Sequence, residues 1–191
     1  TIVTPLLRSP TFWCLVVAFG CFSLNHSMII SHILPLLDSQ GVSTNYAVIA
    51  ASSIGVAQVL GRLVLITVER HLSMLLICMC SFIGLSLASV NLAFAGTATI
   101  ILCLFVCLQG GSAGIGSIAK PTVTADLLGS TNFGAISAMV SIAHMLGFAF
   151  GPGLSGLIWS VTDYDTVIKV TGTLALIGVF SLFIAQKSSR N

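Results

Sequence analysis

The chain has 191 residues, of which 56% are hydrophobic and only 6% charged, with a formal net charge of +2 and a mean hydropathy of +1.09. A soluble domain carries about 25% charged residues, so this composition excludes a water-soluble fold. The small positive charge gives no reason to invoke nucleic acid as a partner.

Six apolar runs follow one another, near 12–37, 46–68, 74–94, 98–119, 133–159 and 167–185, with short polar breaks between them. Roughly 20 apolar residues cross the ~30 Å hydrocarbon layer, so the pattern predicts an all-α polytopic membrane protein. The expected fold is one six-transmembrane-helix bundle over 1–191. The first run lacks the charged start and small-residue cleavage site of a signal peptide and reads as a mature span. The chain begins at Thr1 rather than Met, which fits a fragment or a processed product.

On the first run Cys14, Cys21, Asn25, Met28 and His32 recur at helical spacing and share one face. His26 nearby reads either as a hydrogen-bonded packing residue or as a ligand or proton carrier. The second run holds a stripe of Thr44, Val48, Ala51, Gly55, Gln58 and Arg62, ending in "VLGRLVLITVERH". An arginine does not lose its charge in proteins, so Arg62 inside an apolar run needs protein or water to face.

The third run, like the sixth, has no ionisable residue other than cysteine over 74–90 and 170–185, and both are expected on the lipid side. The fourth carries Gln109, Ser112, Gly116 and Lys120 on one stripe, and "QGGSAGIGS" sets Gly110 and Gly114 at the GxxxG spacing of packed membrane helices. No strand precedes this segment and no Lys-Ser/Thr follows it, which argues against a phosphate loop. Lys120 either faces the interior or reaches the headgroups on its long stem. The fifth run carries Ser137, Ser141, His144, Phe148, Pro152 and Ser155, and the Gly151–Pro152 pair marks a bendable point.

All six cysteines fall inside the runs. Cys103 and Cys107 lie one turn apart, but no His or carboxylate joins them at ligand spacing, so neither a metal nor another cofactor is expected. No nucleophile and base, metal cluster or cofactor loop can be assembled, and the chain reads as a non-enzyme. Six spans put both ends on one side. Arg8, Arg70, Lys187 and Arg190 against Lys169 alone make that side cytoplasmic, in a cell membrane.

"GRLVLITVER", "NFGAISAMVSIAHMLGFAFGPGLSGLI", "SHILPLLDSQGVS", "GVAQVLGRL" and "AKPTVTADLLGSTNFG" together resemble the carboxyl-terminal six-helix half of a major facilitator superfamily transporter. Within it the likeness is to the monocarboxylate-transporter-like and oxalate/formate-antiporter-like group. The resemblance spans nearly the whole chain. It implies secondary active transport by alternating access, in which two six-helix halves rock about a site near the bilayer midplane. The implied partners are a small organic anion, the bilayer, and a missing amino-terminal half from the same gene or a second copy.

In monocarboxylate carriers an arginine on the second helix of this half binds the substrate carboxylate, and Arg62 is the matching position. Proton-coupled members have an aspartate one turn earlier, where this chain has Gln58, which neither takes nor releases a proton at physiological pH. The resemblance makes Gly61, Glu69 and Arg70 part of the cytoplasmic link and Gly151 and Pro152 the bend. Gln58 and Asn25 are expected as hydrogen-bonding neighbours of the anion, with His32, Lys120 and His144 as further contacts. Two other readings stand beside this one: a structural or receptor-like membrane protein that keeps the fold without transport, and a carrier of a sugar, drug or other small solute.

Overall fold

The computed structural model describes residues 3–189, so Thr1 and Arg190 lie outside the described residues. In chain order the described residues form α1 (Val3–Arg8), α2 (Pro10–Ser31), α3 (Ile33–Ser39), α4 (Thr44–Val68), α5 (Met74–Leu92), α6 (Thr99–Leu128), α7 (Phe133–Val161) and α8 (Tyr164–Ser189). Among the described residues all regular structure is helical. Six of these helices, α2 and α4 to α8, are long and apolar enough to cross a membrane. By length and composition the chain is a multi-pass integral membrane protein with an all-α six-helix bundle.

Proline explains one boundary that differs from expectation. The first run is not continuous: α2 stops at Ser31, His32 takes a non-helical conformation (φ −115°, ψ 20°), and α3 follows. The ring of Pro35 cannot donate to the Ser31 carbonyl four residues back and crowds it, so the helix breaks there. Pro121 and Pro152 are accommodated within continuous helices. The fourth helix therefore runs on through Lys120 to Leu128, nine residues beyond the apolar run.

The helices pack as an open row in which α4 lies on α6, α6 on α5, α5 on α8, α8 on α2 and α2 on α7. Two apolar clusters fill it. Phe19, Phe22 and Phe82 meet among α2, α5 and their neighbours in one. In the other, Met28, Ile29, Leu92 and Phe105 join the far ends of the same helices. The most apolar 18-residue windows of α4 and α7, at the two ends of the row, are only 28% and 17% buried, against 61% for α2.

The third and sixth helices are not simply lipid-facing. α5 is wedged between α6 and α8, with its window 56% buried, and α8 turns Thr171 into the interior. Both keep an apolar outer face, with Leu87 and Val90 on α5 and Phe180 and Phe183 on α8 exposed.

The α4–α6 contact is made by small residues. A Cβ at Gly61 would strike the backbone of Gly111, one at Gly110 would strike Ala57 and the Ile54 carbonyl, and one at Gly114 would strike the backbone of Gln58. This is the close approach that the GxxxG spacing anticipates. Gly111 itself has open space where its Cβ would be. Gly114→Ala is therefore expected to destabilise the bundle by about 1–3 kcal/mol through overpacking. Gly111→Ala should leave it unchanged, both read by thermal unfolding in detergent.

At the α7–α8 link, the Thr166 backbone N–H donates to Asp163 Oδ1 at 2.7 Å, capping α8. That bond holds the Asp163 carboxyl below its ordinary value of 3.8. A carboxyl depressed by folding contributes stability above its unfolded value and loses it as pH falls through the folded value. Amide exchange at Thr166 should therefore be slow at neutral pH and quicken in acid, whereas Asp163→Ala should make it fast throughout.

Candidate functional site

Polar side chains from five helices meet halfway along the bundle. Asn25 on α2 is fully buried, and its Nδ2 donates to the Thr171 carbonyl of α8 at 2.8 Å. Gln109 on α6, also fully buried, donates from Nε2 to Asn25 Oδ1 at 3.4 Å. The same Nε2 lies 3.2 Å from His26 Nδ1, and Gln58 Nε2 of α4 lies 3.3 Å from His26 Nε2. Ser89 of α5 and the Thr171 hydroxyl complete the chain at 3.2 Å. A polar group in hydrocarbon costs several kcal/mol unless it is bonded, so this chain ties α4, α2, α6, α8 and α5 together.

An aromatic wall adjoins it. Phe148 of α7 stands edge-on to both His26 (6.1 Å between centroids) and His144 (5.0 Å), and His144 stacks on Phe22 at 6.0 Å. His144 Nδ1 lies 3.2 Å from the Phe19 carbonyl, which can only accept, so Nδ1 carries the proton. Lys120 Nζ donates to Ser141 Oγ of α7 at 3.1 Å. Its ammonium is thus held in the bundle, rather than only reaching for headgroups. The α2–α7 contact depends on small residues here too: a Cβ at Gly147 or Gly151 would strike Ser23 or Ser27.

Arg62 follows Gln58 by one turn on α4, is exposed, and makes no hydrogen bond or ion pair to another described residue. With Gly61 packed on Gly111 of α6, Arg62 lies on the exposed flank of α4. The apolar groove between α4 and α6, near 360 Å³, is lined by residues such as Tyr46, Ala50, Leu102 and Cys107 and does not reach Arg62. Cys103 and Cys107 on its wall are exposed, as is Cys80.

The expected site residues thus divide. Asn25 and Gln58 lie in the polar chain, Lys120 reaches α7 through Ser141, and His144, on α7, reaches α2 through the Phe19 carbonyl. His32 stands apart at the α2–α3 break. Its ring lies 3.3 Å through Nε2 from the Pro152 carbonyl and 3.4 Å through Nδ1 from the Tyr164 hydroxyl. Glu69 caps the end of α4, Arg70 lies in the exposed link after it, and Gly61 and Gly151 sit at helix crossings.

Four members of the network, Gln109, His26, Thr171 and Ser89, were not among the expected contacts. Gln109 was visible as part of the fourth-helix stripe, and His26 as one of two histidines in the first apolar run. Thr171 had no signal that set it apart from the neighbouring hydroxyls Thr166 and Thr173 of the same helix, and Ser89 none among the serines of α5. The chain matches no protein-family model, and no curated protein matches it.

Asn25→Leu removes both the donor to Thr171 and an acceptor of Gln109. Unfolding in detergent should then come earlier by about 1–3 kcal/mol, the cost of stranding a buried polar group. Cys103→Ala, on the exposed wall, should be close to neutral.

Proposed function

We propose that the chain is the carboxyl-terminal half of a secondary carrier of small organic anions, monocarboxylate-like, that works by alternating access, with Arg62 as the anion contact. The observation that carries this reading is the sorting of charge by depth. All five acidic residues, Asp38, Glu69, Asp126, Asp163 and Asp165, lie in the first or last turn of a helix or in a link. The ionisable groups more than one turn inside the long helices, apart from cysteine, are Arg62, Lys120, Lys169, His26 and His144. A membrane interior supplied with cations and no carboxylate suits anionic cargo, which provides the missing charge.

Arg62 supports the reading further by having its five donors uncommitted within the described residues, since guanidinium binds carboxylate as a two-pronged fork. The resemblance to the major facilitator superfamily supplies the remaining elements. A second six-helix half would cover the exposed apolar faces of α4 and α7, where Val56, Leu63, Phe150 and Leu157 lie open. Both termini would be cytoplasmic, on the Lys/Arg asymmetry. Glu69 and Arg70 would lie in the link that shifts as the carrier changes state, and the bend at Pro152 would let α7 follow.

The non-transporting reading is favoured by one observation: His26, His144 and Lys120 are all hydrogen-bonded within the bundle, as purely structural groups would be. Uptake of a panel of labelled mono- and dicarboxylates, sugars and amphipathic drugs by the full-length protein separates the readings. Arg62→Ala should abolish carboxylate uptake with membrane insertion intact. Arg62→Lys should lose at least tenfold in rate, because an ammonium cannot reproduce the planar fork. Unchanged uptake in Arg62→Ala overturns the anion reading, and sugar or drug uptake alone would replace it.

A further inference from the structure

The polar chain around His26 has a single consistent arrangement of hydrogens, and that arrangement determines what Gln58 offers to the open face. A neutral imidazole has one donor nitrogen and one acceptor nitrogen. Both of its nitrogens lie within hydrogen-bond distance of a glutamine side-chain amide, Gln109 at 3.2 Å and Gln58 at 3.3 Å. Two amide nitrogens cannot both donate to it, so one glutamine must turn its oxygen to the ring.

The far end of the chain decides which one. The Thr171 carbonyl can only accept, so Asn25 presents its Nδ2 there and its Oδ1 to Gln109. Asn25 Oδ1 in turn requires the Gln109 Nε2, and that same nitrogen faces His26 Nδ1. His26 Nδ1 is therefore the bare, accepting nitrogen, and Nε2 carries the proton. Gln58 must receive it with Oε1, which turns its Nε2 away from the ring. A charged imidazole would demand both glutamine oxygens and would strip Asn25 Oδ1 of its donor.

We propose that Asn25 and Gln109, acting through His26, fix Gln58 as a hydrogen-bond donor to the carboxylate held at Arg62. The proposal rests on the anion-carrier reading. Gln58 is half-buried and one turn from Arg62 on the same stripe, about 6 Å along the axis. The guanidinium fork takes both oxygens of the cargo, and the second lone pair of one of them accepts from the Gln58 amide, so the site holds a carboxylate from two side chains with no titrating acid. Asn25, Gln109 and His26 are positioning residues; Gln58 and Arg62 touch the cargo.

The direction of this relay can be read without transport. In the purified chain, labelled with ¹⁵N at histidine and placed in lipid nanodiscs, NMR reports which ring nitrogen of His26 holds the proton, the signal being assigned by its loss in His26→Asn. The expected result is Nε2–H with bare Nδ1. Gln109→Met should release the constraint and populate both tautomers, whereas Gln58→Met should leave the tautomer unchanged, because Gln58 follows the ring. A proton on Nδ1, an imidazolium at neutral pH, or a tautomer that responds to Gln58→Met but not to Gln109→Met would overturn the relay.

The cargo end is probed with radiolabelled benzoate bound by the full-length protein. Gln58→Met should weaken binding roughly tenfold, and Gln109→Met by less. Native benzoate affinity in Gln58→Met overturns the donor role. If Arg62→Ala still binds benzoate while the tautomer result holds, the anion reading fails and only the hydrogen order survives. If Arg62→Ala loses benzoate and the tautomer is wrong, the relay fails alone.

Discussion

The close approach of α4 to α6 is the constraint on which the rest of the bundle depends. Gly61, Gly110 and Gly114 allow backbone to meet backbone, and no side chain larger than hydrogen fits at these crossings. In hydrocarbon there is no hydrophobic drive to hold two helices together, so contact must come from packing and hydrogen bonds. Bringing the backbones together serves both needs. It places Gln58 within reach of His26, and it leaves the adjacent Arg62 turned outward. A bulkier α4–α6 interface would separate the two parts of the polar system, the buried amides and the exposed cation.

Polarity in this bundle is graded rather than uniform. At the centre are neutral groups, Asn25, Gln109, Ser89 and Thr171, nearly all bonded to one another. One buried acceptor, Gln109 Oε1, has no partner, which is the cost of a chain that commits both Asn25 and His26 to the Gln109 nitrogen. Around this core lie the basic groups, and the acids are confined to the ends. Neutral amides can be buried outright when paired, whereas a charge needs water or a counter-ion. The gradient follows from that difference.

Much of the architecture was legible in the sequence because membrane helices are dictated by length and apolarity. The second, third and fifth helices begin or end within two residues of the apolar runs at 46–68, 74–94 and 133–159. The fourth helix was read short because Lys120 and Pro121 look like a boundary. In fact Lys120 has an internal partner in Ser141, and the proline is tolerated mid-helix. The stripe carrying Gln58 and Arg62 was also legible, since 3.6-residue periodicity fixes which side chains share a face. What periodicity cannot give is which faces meet. Placing Thr171 opposite Asn25 requires knowing that α8 packs on α2, and one hydroxyl among several on α8 announces nothing of the kind.

His32 joins a break in one helix to a proline inside another. It lies at the break between α2 and α3, and its Nε2 donates to the carbonyl of Pro152, the residue that weakens α7, while the Tyr164 hydroxyl donates to its Nδ1. Tyr164 is in turn stacked on Trp159 near the end of α7. One imidazole thus pins the break and the proline to each other, so a displacement of either segment has to stretch or break a bond to the other.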